Sequence, residues 1–167
     1  MIWPTTLLRN ESFEVRARKR KDGVVARRFV TTTGDALTVA KSFGIGWDIY
    51  YGVATRFQKG GKKQDCFRVN TVWADLDNTD KLPDFGKLHP TVVVNTGGGF
   101  HLYWILETPI FLRTGKWKEI EAINRGLCQK FSGDKMSIDI ARILRIPDFI
   151  NHKYDPKRKV TASAVQD

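Results

Sequence analysis

The stretch Val72-Trp73-Ala74-Asp75-Leu76-Asp77 decides how the chain is read. Side chains on a strand alternate between faces, so Asp75 and Asp77 share one face while Val72, Ala74 and Leu76 point into a core. Two carboxylates side by side at a strand end repel each other unless a cation sits between them. Oxygen-only ligands of this sort suit Mg²⁺ or Mn²⁺. The competing reading is a strand running into an Asx-type turn, Asp77-Asn78-Thr79-Asp80, whose acids are merely solvated.

The residues downstream of this strand favour the metal. Thr91 to Asn95 reads as a second strand, and Thr96-Gly97-Gly98-Gly99-Phe100 turns the chain into a third, His101-Leu102-Tyr103-Trp104-Ile105-Leu106. Two glycines would suffice for a hairpin turn. A third removes more side-chain bulk, permits φ > 0, and lets backbone N–H groups close on an anion. His101 and Tyr103 fall on one face, with the histidine placed to reach a phosphate. Further on, Ser137-Ile138-Asp139-Ile140-Ala141-Arg142-Ile143-Leu144-Arg145-Ile146-Pro147 sets an acid and two arginines among apolar residues. Charges so placed are costly if buried unpaired, so a ligand or an Asp139–Arg142 ion pair is expected.

The remaining chain reads as scaffold. Phe13, Val15 and Ala17 alternate with charged residues, and Lys21-Asp22-Gly23 is a turn signal before a second extended run at Val25 to Phe29. The basic run Arg16 to Lys21 is equally a solvated edge or a nucleic-acid contact. Asp35 to Phe43 is expected to be a short helix closed by Gly44. Trp47 to Thr55 is expected to be a strand ended by Arg56. The loop Gln58 to Gln64 is basic and Gly-containing. Trp117, Ile120, Ile123, Leu127 and Phe131 repeat every three or four residues, which predicts an amphipathic helix over Gly115 to Phe131. The basic tail ends in an expected short strand.

At 167 residues with 41% hydrophobic content, the chain is expected to be one domain with a real core. A net charge of +10 and pI near 9.8 favour a polyanionic partner. No apolar run approaches the ~20 residues that cross a bilayer. No signal-peptide design precedes the first strand, so no membrane role and a cytoplasmic location are expected. Cys66 and Cys128 match neither a disulfide framework nor a zinc spacing.

The ordered set is Asp-x-Asp, a Gly-rich turn with histidine, then a third Asp followed by Arg and Lys. Phosphoryl transfer from a nucleoside triphosphate needs such parts, because its catalysis is positioning plus charge neutralisation. The order resembles the archaeo-eukaryotic primase superfamily, particularly the primase-polymerases of phages, plasmids and mobile elements. The matching residues are Trp73-Ala74-Asp75-Leu76-Asp77, Thr96-Gly97-Gly98-Gly99-Phe100-His101 and Ile138-Asp139, continued by Arg142, Arg145, Pro147, Asn151 and Lys153. Tyr50 to Arg56 resembles a family strand that ends in arginine. The resemblance covers about Trp47 to Lys153.

The resemblance implies an α+β fold: an RRM-like antiparallel sheet with packed helices at about 46–160, preceded by a small α/β module at about 1–45, in one catalytic domain. It implies a DNA primase-polymerase that joins (d)NTPs on a single-stranded DNA template and primer, using two Mg²⁺ or Mn²⁺ ions and no zinc. Asp75, Asp77 and Asp139 would be the metal-binding catalytic acids, joined by His101. Thr96, Gly98, Gly99, His101, Arg145, Asn151, Lys153 and Arg56 would contact the nucleotide. A helicase or another replication protein is an expected partner, and a monomer the expected state. Two departures stand out: Thr96 replaces the commoner serine, and Asp148-Phe149 stands where relatives often have Gly-Thr.

A non-catalytic single-strand-binding module would explain the aromatics and the charge. It would not explain three carboxylates facing phosphate. A replication-initiator nickase needs a His-x-His pair, and His89, His101 and His152 lie far apart. A metal-dependent nuclease could use the Asp-x-Asp strand but gains nothing from the glycine turn.

Overall fold

The computed structural model describes residues 7–57 and 59–165. Strands β1 (Glu11–Lys19) and β2 (Val25–Val30) form the expected hairpin, turned at Gly23 with φ 72°. Helix α1 (Thr33–Ser42) starts earlier than expected because Thr32 is its cap: its hydroxyl accepts from the Asp35 amide at 3.0 Å. Strand β3 (Trp47–Gly52) is shorter than expected, and the two-residue β4 (Arg56–Phe57) pairs with the start of β1.

The acidic strand is β5 (Arg68–Asp77). Strands β6 (Val92–Asn95) and β7 (Gly99–Phe111) come next, joined by the glycine turn. Helix α2 (Trp117–Lys130) buries Ile120, Leu127 and Cys128. Short strands close the chain: β8 (Ile143–Arg145), β9 (Ile150–Asn151), β10 (Arg158–Lys159) and β11 (Thr161–Ala164).

Two antiparallel sheets carry the site. One has the order β2-β1-β3-β8, so the hairpin's sheet takes in strands from beyond residue 45 and from near the C-terminal end. The other has the order β11-β6-β7-β5. Their inner faces bury Phe13, Val15, Tyr51, Trp73 and Tyr103, while Leu102 is buried on the opposite face of its sheet. With the helices α1 and α2, this is the α+β, antiparallel architecture that the resemblance implies.

Strand β5 is an edge, and an edge must satisfy its free backbone groups. Asn124 of α2 accepts the Trp73 amide at 2.9 Å, while the Asp75 carbonyl accepts the Asp134 amide at 2.7 Å. Gly133 permits that approach, since a Cβ there would lie 2.8 Å from the Asp75 carbonyl oxygen. The edge is therefore closed by the segment after α2. This closure carries Asp134 to the acid pair.

Among the described residues, no helix is long and apolar enough to cross a membrane. Cys66 and Cys128 are buried free thiols.

Candidate active site

Register builds the centre of the site. On adjacent strands Asp75 lies directly opposite His101 and Asp77 opposite Gly99. The acids and the histidine therefore share a face, as strand periodicity requires. The His101 Nε2 is 3.6 Å from the Asp75 carboxylate. At that distance, with a neutral ring, this is no ion pair. Burial, with the Arg145 charge adding to it, pushes the His101 pKa down to about 3. Its Nδ1 meets the Tyr103 hydroxyl at 3.2 Å, and Tyr103 in turn bonds Tyr51 from the opposite sheet. A Tyr103 hydroxyl that donates to Nδ1 leaves the Nε2–H facing the acids as a fixed, uncharged donor.

The metal-competent group is not the predicted set. Asp75, Asp77 and Asp134 each offer a carboxylate oxygen within 4.8 Å of one another. Burial first, then the charges of Asp77 and Asp134, raise the Asp75 pKa to about 7. Asp139 is not brought to this cluster: it pairs with Arg142 at 2.7 Å, three residues on. Sequence reasoning missed Asp134 because Ser132-Gly133-Asp134 reads as the turn that ends a helix. The sign available was that Gly, which the fold needs for contact with β5.

A cavity of about 120 Å³ gathers Asp75, Asp77, Thr96, His101, Arg145, Asn151 and Lys153, with Tyr50 and Tyr154. The Asn151 side-chain amide donates to the Thr96 carbonyl at 2.7 Å, and its oxygen accepts the Lys153 amide at 3.0 Å. Gly98 and Gly99 line the neighbouring cavity with Tyr154 and Arg158. Here the glycines answer to packing. A Cβ at Gly99 would lie 1.8 Å from the Leu76 carbonyl oxygen, and one at Gly98 would lie 1.8 Å from the Tyr154 hydroxyl. The Gly97 amide is already held by Asn95 at 2.8 Å and the Gly98 amide weakly by Thr96 at 3.4 Å. The expected anion cradle of glycine amides is thus partly spent on the turn itself.

Arg145 is aimed by a residue the sequence did not flag. Asp48 is fully buried; its carboxylate accepts from Arg145 at 3.1 Å and from the His152 amide at 2.8 Å, and it pairs with Arg20 at 3.2 Å. Burial alone would raise the Asp48 pKa, but these bonds and charges outweigh it and hold it below its usual value. One carboxylate so fixes both Arg145 and the segment that carries Asn151 and Lys153.

Arg56, a predicted nucleotide contact, is not at the site. It is fully buried, bonds Glu14 at 2.8 Å and the Ala141 carbonyl at 3.1 Å, and contacts the Cys66 sulfur. Glu14, also fully buried, gathers Arg16 and Arg27 as well. The arginine is a structural counter-ion. Arg56→Met is therefore expected to cost roughly 3 kcal/mol in a urea melt, because Glu14 would lose its most deeply buried partner. Nucleotide affinity of the folded fraction should be unchanged.

Asp148, where relatives often carry glycine, has φ 71°. That left-handed backbone explains why glycine suits the position.

No protein-family model matches the chain. A replication protein of Clostridium perfringens is 28% identical over an alignment of 120 residues that covers 64% of this chain and 30% of that protein. The chain thus spans about a third of the length of that curated relative. Among solved structures, the AEP domain of the cyanophage S-2L primase-polymerase superposes with a TM-score of 0.70 at 18% identity, over 92% of this chain and 82% of that one. The primase RepB′ gives 0.65 at 18% identity, over 92% and 51% respectively. The catalytic domain of RepB′ in complex with initiator DNA gives 0.65 at 19% identity, over 92% and 76%. The chain has the archaeo-eukaryotic primase fold.

Proposed function

We propose that this chain is a DNA primase-polymerase domain that transfers nucleotides onto a growing strand, templated by single-stranded DNA. One observation carries the reading: Asp75 and Asp77, which converge with Asp134, line a cavity whose other walls include His101, Arg145, Asn151 and Lys153. Acids and phosphate-binding groups in the same small space suit a triphosphate bridged to divalent cations.

The donor set fits hard cations, being all oxygen and mutually repulsive when empty. Asp75 and Asp77, with Asp134, would hold two Mg²⁺ or Mn²⁺ ions, which supply Lewis-acid charge at the attacking 3′-hydroxyl and the leaving pyrophosphate. The chain's own residues do the rest. His101 offers an uncharged N–H donor to a phosphate oxygen beside the acids. Arg145, held by Asp48 and stacked 4.9 Å from the Tyr50 ring, presents a fixed guanidinium, and Lys153 adds an ammonium. Asn151 ties the strand behind them to the Thr96 carbonyl, so the Gly-rich turn and the cationic wall keep their spacing. Asp139 would then serve Arg142, and the domain would work in the cytoplasm as a single unit over 1–167.

The test is incorporation of labelled nucleotide on primed and unprimed single-stranded DNA with Mg²⁺ or Mn²⁺. Products that disappear on chelation support the reading, and products without a primer make the domain a primase. Single-strand binding with no incorporation on either template would instead favour a non-catalytic binding module.

A further inference from the structure

Cross-strand register places four side chains in one row on the outer face of the hairpin's sheet. Arg27 on β2 pairs with Arg16 on β1, Arg16 with Tyr50 on β3, and Tyr50 with Arg145 on β8. Directly paired residues point to the same face. The row crosses three strand spacings, about 14 Å. Its β8 end lies in the acid cavity. Beside it a groove of about 460 Å³, lined by Arg16, Arg18 and Arg142, shares Tyr50 and Ile143 with that cavity.

The charges are pre-positioned rather than loose. Arg16 and Arg27 are both held by the buried carboxylate of Glu14, and Arg145 by that of Asp48. Arg18, exposed in the same groove, makes no ion pair among the described residues. At its far end the row meets the basic loop after β4: a Cβ at Gly61 would lie 2.3 Å from the Arg27 guanidinium. Among the described residues, these four arginines are answered by two buried acids, Glu14 and Asp48, which also pair with Arg56 and Arg20. The excess positive charge faces solvent.

We propose that this arginine row, with Arg18 beside it two residues along β1, is the track of a single-stranded nucleic acid, whose phosphates follow Arg27, Arg16 and Arg18 and whose strand enters the acid cavity past Tyr50. A strip one row wide suits one backbone rather than two, and an aromatic at the threshold can take a base by stacking. The inference rests on the nucleotidyl-transfer reading for its direction, but its test reads binding alone.

Binding of a fluorescent single-stranded oligonucleotide is measured by anisotropy across a salt series, without metal or nucleotide. Each phosphate neutralised contributes about 0.7 to the slope of log K against log[salt] for a single strand. Arg18→Ala/Arg27→Ala should flatten that slope by about 1.4 and weaken binding at least tenfold at low salt. Lys118→Ala/Lys130→Ala on α2, with the same net charge, should leave the slope unchanged. Arg18→Gln, which removes one charge and no ion pair, keeps the test valid if the double variant melts early, and should by itself flatten the slope by about 0.7. Unchanged binding in the Arg18 and Arg27 variants would overturn the track, as would an equal loss in the Lys118/Lys130 control. Either result leaves incorporation by the wild type untouched. Conversely, a wild type that binds through the row yet never incorporates nucleotide defeats the catalytic reading and not the track.

Discussion

Asp75→Asn is expected to abolish nucleotide incorporation and, at pH 8 without metal, to raise the melting temperature. Both effects come from one carboxylate. Asp75 sits in a partly desolvated position beside Asp77 and Asp134, and its pKa is raised from 3.8 to about 7. An acid whose pKa is higher in the folded state binds more protons there than when unfolded. Stability therefore falls as pH rises between those two values, and is lowest above about 7. The charged form at pH 8 costs on the order of 4 kcal/mol, or roughly 10 °C for a domain of this size. Asparagine keeps the shape and removes the charge, so a thermal melt from pH 5.5 to 8.5 should slope downward in the wild type and flatten in the variant. Added Mg²⁺ or Mn²⁺ should stabilise the wild type more at pH 8 than at pH 5.5, since the ligands must be deprotonated to bind. It should do little for the variant. A site that holds repelling acids at a stability cost is what a cation-requiring reaction needs.

The second large effect separates two aspartates. Asp134→Asn should lower incorporation by about a thousandfold, because it removes one of the carboxylates that converge within 4.8 Å. Asp139→Asn should cost far less. Its carboxylate is 38% exposed and paired with Arg142, and a solvent-facing pair of this kind is worth about 1 kcal/mol or less. Titration of Mn²⁺ into the two proteins by calorimetry gives the same comparison without turnover. If Asp139→Asn abolishes activity while Asp134→Asn retains it, the third acid is the one the motif order suggests, and the 136–142 segment must rearrange when cations bind.

The parts of the site that were legible in the sequence are those fixed by local geometry. Strand alternation was enough to put Asp75 and Asp77 on one face, and the same period put His101 beside Tyr103. The Thr96-to-His101 turn could be read as a hairpin, and so its two strands had to be neighbours. Arg145, Asn151 and Lys153 come in a tight run, so bringing one to the cavity brings the others.

The illegible parts depend on contacts between distant segments. Asp134 is placed by an amide that caps the free edge of β5, a bond across 59 positions that no local pattern announces. Arg56 read as a strand-ending arginine that would contact the nucleotide. Its burial depends on Glu14, which sits on a strand whose alternation gave it an outward face. That face is outward in register but covered in fact, by Arg16, Arg27 and Arg56 themselves. Asp48 was hidden for a similar reason, as a lone acid in an aromatic strand whose partners are the residue after β1, Arg145 of β8 and the residue after β9. The basic tail ends in the expected short strand, β11, but nothing local in the sequence announces that it pairs with β6 and closes that sheet.

Catalysis by the acid pair is tested head-on by incorporation on primed single-stranded DNA with Asp75→Asn/Asp77→Asn beside the wild type, with single-strand binding measured in parallel. Incorporation should fall at least a thousandfold, with binding equal or tighter because two negative charges have left the nucleic-acid face. Incorporation within a few-fold of the wild type would show that the acid pair is a solvated turn, and that the chemistry lies elsewhere.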